Sequence, residues 1–309
     1  MKPMRELKKK VRRACRSMRW LLKHPLARRD RLGALKRYIT FHVLYPLLPG
    51  PVVYPWVGNL RFIVQPGMGG VVGNVYAGLE DFEEMALILH ALREGDVFVD
   101  VGANVGAYTL LASGICGART IAIEPVPSTF EHLLLNIRLN QLDNVVDCRN
   151  VGVWSHATCL RFTTGFDTMN RVVENNAGNE AGTTVVEVFP LDQILADTRP
   201  VAVKVDVEGC EYQVLQGAPR TLSDETLRCI IVETYEGYDK RYGHTVEEVR
   251  ELLHGYGFAP YAYNPFERSF MMGLHTERRG FNEVYARDIG FLASRVREAP
   301  SFEVLGVTL

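Results

Sequence analysis

The sequence predicts an α/β fold: a mostly parallel sheet of seven strands with helices on both faces, preceded by a basic, partly helical extension. Three observations carry that expectation. Apolar β-prone runs alternate with amphipathic helical patterns from about residue 81 onward. Residues 97–125 read as strand, glycine-rich turn, helix and second strand ending in an acid. Residues 1–40 hold fifteen Lys or Arg against two acids, Glu6 and Asp30, so the net charge of −1 hides an acidic body behind a basic arm. The 309 residues, 47% apolar, suffice for one large core. An acidic body argues against a broad nucleic-acid face.

The expected organisation is a basic extension over 1–50, a hairpin or lid segment over 51–80, and a folded domain over 81–309. Met4, Leu7, Val11, Met18 and Leu22 recur at helical spacing and predict a helix from about 4 to 22. That period ends by residue 37. Tyr38 to Leu48 is a short apolar and aromatic run, too short to span a bilayer, and prolines at 46, 49, 51 and 55 punctuate it. The arm fits a solvated tail, a nucleic-acid tether or an interfacial helix. A basic amphipathic helix followed by aromatics suits peripheral contact of residues 1–40 with an anionic membrane. Its basic region is too long for an ordinary secretory signal, so a cytoplasmic location, peripheral to the membrane, is expected.

The segment after Asn59 alternates like a strand, and Gly67, Gly69, Gly70 and Gly73 follow as a turn-rich stretch. Leu79 to Leu92 predicts a helix whose stripe is Phe82, Met85, Ala86, Leu89 and Leu92. Val97 to Val99 opens the sheet, a helix starts near Tyr108, and Thr120 to Ile123 is the second strand. Ser128 with Glu131 predicts a capping box for a helix through Asn140. Asn144 to Val153 is the third strand region, Leu160 to Val188 a polar loop or hairpin insertion, and Leu191 to Leu195 a short helix. In residues 201–211, Lys204, Asp206 and Glu208 share one face of a strand and Val203, Val205 and Val207 the other. Glu211 to Leu222 and Val246 to Tyr256 are helices, the latter with Thr245 and Glu248 at capping-box spacing. Leu227 to Glu233 is the fifth strand; Phe258 to Tyr263 and Phe281 to Ala286 close the sheet.

The turn carries the chemistry. Gly102, Asn104 and Gly106 let backbone approach a ligand, but Asn104 stands where a dinucleotide fingerprint needs its second glycine. No Walker lysine follows. Glu124 closes the second strand, where a carboxylate accepts from both hydroxyls of a ribose. The pattern D-x-G-x-N-x-G with that acid resembles the first motif of class I S-adenosylmethionine-dependent methyltransferases. Three charges on one face of a central strand are costly unless something polar meets them, which turns Lys204, Asp206 and Glu208 toward a ligand crevice. Six cysteines form no C-x-x-C and eight histidines no H-E-x-x-H, so no zinc site is expected, and the types and spacing of Asp206, Glu208 and Glu233 do not demand Mg²⁺. His156 lies in a loop after the third strand region, as a surface or packing residue.

Together the two blocks resemble the FkbM family of S-adenosylmethionine-dependent O-methyltransferases. The likeness rests on Asp100 to Thr109, Glu124-Pro125 and Lys204 to Glu211, with Asn136, Asn140, Gly217 and Glu233 also fitting, and runs from about Gly78 to Ala286. It implies a Rossmann-like class I methyltransferase, S-adenosyl-L-methionine as cofactor, and a hydroxyl of a sugar, glycan, lipid-linked saccharide or secondary metabolite as acceptor. The resemblance implies cofactor binding by Asp100, Gly102, Asn104, Gly106, Tyr108, Thr109, Glu124, Pro125 and Asp206, and catalysis by Asp206, Glu208 and Lys204. Lys204 and Glu208 either form a buried ion pair or leave Glu208 as general base. A nucleic-acid methyltransferase is the weaker alternative, because KVDVEG stands where amino-methylating enzymes carry [DNS]-P-P-[YFW]. A non-catalytic binding module tethered by the arm is the other.

Overall fold

A computed structural model describes residues 2–65, 70–164, 170–173, 182–235, 242–274 and 282–309; for residues 2–11 and 13 it describes backbone alone. The arm is α1 (Lys2–Lys23), α2 (Pro25–Arg29) and α3 (Arg31–Ile39), after which helical turns run on to Leu47. Hairpin strands β1 (Val52–Pro55) and β2 (Arg61–Val64) follow, then α4 (Val72–Ala77) and α5 (Phe82–Ala91). The core continues with β3 (Val97–Val101), α6 (Ala107–Leu110), β4 (Arg119–Ile123), α7 (Pro127–Leu139) and β5 (Val146–Arg149). Next come β6 (Gly152–Val153), β7 (Thr158–Thr163), β8 (Val172–Val173) and β9 (Thr183–Phe189). After α8 (Leu191–Leu195) stand β10 (Ala202–Val205), α9 (Glu211–Gln216), α10 (Pro219–Ser223) and β11 (Cys229–Glu233). The chain ends through α11 (Val246–Gly255), β12 (Ala259–Asn264), β13 (Ser269–Met272), β14 (Asn282–Ala286), α12 (Ile289–Glu298), β15 (Glu303–Val304) and β16 (Val307–Thr308).

The central sheet has eight strands in the order β13-β12-β14-β11-β10-β3-β4-β5. The five from β5 to β11 are parallel, whereas β14, β12 and β13 are joined antiparallel. The sheet is therefore mixed, and the expected seven-stranded, mostly parallel form is corrected. The extra strand, β13, is a four-residue edge hairpin with exposed Met271 and Met272, too short and open to show an alternating signal. One face is covered by α5, α7 and α12 and the other by α8, α9, α10 and α11. Alternation assigns Phe98 and Ala202 to the first and Val99, Val101, Val203 and Val205 to the second.

Other boundaries move for physical reasons. Helix α7 begins at Pro127 with no side-chain cap, so the Ser128–Glu131 box does not form; proline at the first turn needs no N–H partner. The box of Thr245 and Glu248 does form. The helix expected over 211–222 breaks at Gly217, whose missing Cβ would lie 2.3 Å from the Trp154 carbonyl, and restarts at Pro219. The insertion folds as a second sheet, β6-β9-β7-β8. Its residues 165–169 and 174–181 lie outside the described residues, as do Gly67, Gly69 and Phe281. The arm is docked: Leu21, Ala27, Ala34 and Tyr38 are buried against Tyr76 and Ala77, with Met18 and Trp20 beside them. Among the described residues no helix is long and apolar enough to cross a membrane.

Candidate active site

The chain leaves β3 toward β4 on one side and returns by β10 on the other, which opens a crevice at the carboxyl ends of β3 and β10. Gly102 (φ 80°), Asn104 (φ 51°) and Gly106 (φ 93°) shape the turn there. A Cβ on Gly102 would lie 1.8 Å from the Asp206 carbonyl oxygen, so the glycine is demanded by the tail of β10. Glu124 ties the turn down, its two carboxylate oxygens accepting from the Asn104 and Val126 N–H groups at 3.1 and 3.0 Å. Burial pushes Glu124 up to about 7, against the pull of those N–H donors. Asp100 is 1% exposed; its Oδ2 accepts from the Thr109 hydroxyl at 2.7 Å, and burial raises it too.

Beside Asp100, across the β3–β10 register, stands Lys204. Its Nζ is 2.6 Å from Asp206 Oδ2 and 4.7 Å from the centre of the Tyr108 ring. Burial would drive this ammonium toward neutrality, but Asp206 and Asp100 more than compensate and hold it charged. Tyr108 donates to Asp81 at 3.0 Å. The buried Lys204 thus pairs with the half-buried Asp206, not with Glu208. Strand β10 ends at Val205, and Glu208 turns left-handed at φ 56°, so the alternation expected to align all three charges is broken. Glu211, itself buried, clamps this loop by accepting from the Val207 and Gly209 N–H groups at 3.2 and 3.0 Å.

Most of these groups line one cavity of about 790 Å³. The turn, Glu124, Pro125 and Val126 form one end, with Gly152, Val153, Trp154 and Phe162 beside them. Glu80, Asp81 and Glu84 enter from the start of α5, Glu233 and Asn282 from β11 and β14, and Trp20, Lys23, His24 and Arg28 from the arm. Burial pushes Glu80 up to about 8, with Asp81 and Asp206 adding to it, and lifts Asp81 and Glu84 as well. Glu233 is raised by burial and then by Asp206 and Glu208, which favours its protonated form. Four lining oxygens, Asp100 Oδ1, Asn104 Oδ1, Glu233 Oε2 and Asn282 Oδ1, are buried without a hydrogen-bond partner among the described residues. All four belong to residues that line the cavity, and a buried polar atom left unmet is the exception in a folded protein.

Of the residues singled out from the sequence, Asp100, Gly102, Asn104, Tyr108, Glu124, Pro125, Lys204, Asp206 and Glu208 all line the cavity. Thr109 and Gly106 are not among the lining residues: Thr109 is fully buried and orients Asp100, and Gly106 makes room for Leu133. His156 is exposed, with its ring beside the Ser155 hydroxyl, while Trp154 of the same loop faces the cavity. Glu80, Asp81 and Glu84 escaped notice because acids in a first helical turn read as dipole partners. The arm's contribution carried no local signal. Among the described residues no group of three or more His, Cys, Asp or Glu is arranged to hold a metal ion.

A family model for the methyltransferase FkbM domain matches residues 100–260, just over half the chain. The hexuronic acid methyltransferase AglP of Haloferax volcanii is 28% identical over 158 residues, covering 50% of this chain and 62% of that protein. The matched region thus spans about three fifths of that relative's length. Methyltransferase sdnD of Sordaria araneosa is 27% identical over 212 residues, covering 58% of this chain and 80% of that protein. The crystal structure of methyltransferase FkbM from Methylobacillus flagellatus overlays 70% of this chain and 52% of that one, with 17% identity and a TM-score of 0.43.

Proposed function

As the chain belongs to the FkbM family of S-adenosylmethionine-dependent methyltransferases, we propose that it moves a methyl group to a hydroxyl of a sugar, glycan, lipid-linked saccharide or secondary metabolite. The observation that carries this reading is the set of four unpartnered oxygens on residues that line one carboxyl-rich cavity. Such a lining suits a cationic cofactor at one end and hydroxyl donors at the other. A relative named for a hexuronic acid acceptor supports the sugar class. The order β5-β4-β3-β10-β11-β14-β12 supports a class I methyltransferase sheet extended by β13.

S-Adenosylmethionine supplies a methyl already activated on a cationic sulfonium, so the protein must align the acceptor and remove its proton. Asp100 Oδ1 and Asn104 Oδ1 are the free acceptors beside the turn and suit the cofactor's amino and hydroxyl donors. Glu124 keeps lone pairs for a ribose after serving the Asn104 and Val126 N–H groups. Lys204, held charged by Asp206 and Asp100, pulls against the burial that raises Asp100. Burial and the neighbouring acids favour a protonated Glu233, Asn282 offers an oxygen, and Glu208, which also lines the cavity, is read as taking the acceptor's proton.

Purified protein with labelled S-adenosylmethionine and a panel of glycans, lipids and nucleic acids tests the reading. Label in glycan or lipid supports it; label in nucleic acid alone overturns it. Glu208→Gln should lower kcat by about 100-fold or more while cofactor affinity survives. Full activity in that variant would remove Glu208 as the base.

A further inference from the structure

The helical run from Arg31 to Leu47 has two apolar faces. Ala34 and Tyr38 are buried, with Phe41 and Tyr45 partly buried, and Tyr38 and Phe41 set their rings 5.3 and 6.3 Å from Tyr76. On the opposite side Leu32, Leu35, Ile39, Val43 and Leu47 recur at helical spacing and stand open, Leu32 at 83% and Leu47 at 77% exposure. A helix apolar on both faces requires cover on both, and this chain covers one. Leu44 and Leu48 extend the open ridge.

The charge around the ridge selects what covers it. Arg31 and Lys36 of the same helix are exposed, as are Arg28 and Arg29 just before it and Arg12, Arg16, Arg19 and Lys23 further along the arm. The one acid in this stretch, Asp30, is consumed by Arg37 at 3.1 Å and by the Gly33 N–H. We propose that this ridge is a docking face for an anionic lipid surface, with the aliphatic side chains immersed and the arginines and lysines reaching headgroup phosphates. A second copy of the ridge would bring the same positive charge against itself, which disfavours a symmetric pair through this face. The seat differs from the one read from the sequence, because near the end of α1 Met18, Trp20 and Leu21 are turned against Tyr76 and Ala77. The same arm lines the cavity with Lys23, His24 and Arg28, so lipid docking brings a membrane to the wall of the acceptor site.

The test is co-sedimentation of the full chain with phosphatidylcholine vesicles and with vesicles containing phosphatidylglycerol, alongside a Leu32→Ser, Ile39→Ser, Leu47→Ser variant. These three side chains are exposed, so the variant keeps the core intact, as a melting curve will verify. The expected result is binding to anionic vesicles, weakened by salt, and reduced about tenfold or more in the variant. No binding to either vesicle, or equal binding by the variant, overturns the proposal. So does a concentration-dependent dimer that the variant abolishes, since the ridge then belongs to a second copy. Vesicle binding is read without turnover, so it succeeds or fails independently of the acceptor reading.

Discussion

Gly102 is held to glycine by a neighbouring backbone oxygen, and the same contact locks the Gly102–Gly106 turn to the loop that carries Asp206 and Glu208. Gly102→Ala is therefore expected to cost about 3 kcal/mol or more, and to weaken S-adenosylmethionine binding at the same time. Thermal melts and titration calorimetry on one preparation check both effects. Glu124 gives a pH dependence. Burial lifts it to about 7, so it is largely protonated at pH 6 and ionised at pH 8, and only the ionised form offers a full set of acceptors to a ribose. Cofactor affinity should rise across that interval, and Glu124→Gln should flatten the rise. The motif residues were legible because the turn needs those particular types. Glu233 was legible as fitting the family pattern and Asn282 only as a strand residue, since their facing positions in the β11–β14 register come from a pairing across some fifty residues of chain.

Asparagines 136 and 140 show how one helix organises its neighbours. Asn136 donates to the Val105 carbonyl at 2.9 Å and accepts from the Ile63 N–H at 2.8 Å. Asn140 exchanges two bonds with the Arg61 backbone at 2.8 Å. A two-stranded hairpin is marginal alone, so helix α7 supplies the edge partners that fix β1–β2 against the body and beside the cofactor turn. Asn136→Ala should leave the Val105 carbonyl and Ile63 N–H unmet and cost about 3 kcal/mol, read from a urea midpoint. An unchanged midpoint would show that water replaces both bonds. The sequence marks these asparagines as fitting a family pattern but gives no role, because their partners lie far away in the chain.

The whole molecule carries the acid-lined cavity as a stability cost. Glu80 is lifted to about 8 and Glu124 and Glu211 to about 7, from an ordinary value of 4.5, chiefly by burial. Folding therefore favours their protonated forms, and these groups lower stability progressively as pH rises from about 4.5 through 8. The melting temperature of the cofactor-free protein should fall from pH 5 to pH 8, less steeply in Glu80→Gln. The arm belongs to this same unit. A chain lacking residues 1–40 would lose Leu21, Leu26, Ala27 and Tyr38 from the core and Lys23, His24 and Arg28 from the cavity. It is expected to melt lower and lose acceptor turnover, where a detachable tether would leave both unchanged.

The sequence by itself determined the α/β class, the turn from Asp100 to Gly106, the acid after the second strand and the charged segment after the fourth. Each is a local pattern whose chemistry depends on residue type and spacing, and those are written along the chain. Tertiary structure alone decided that Lys204 pairs with Asp206, that the segment from Glu80 to Glu84 entering α5 brings four acids to the cavity, and that the basic arm forms one of its walls. It also decided which apolar face of the arm is covered and which stays open. Those outcomes depend on burial and on contacts between distant segments, where a charge finds its partner only after the sheet order has been set.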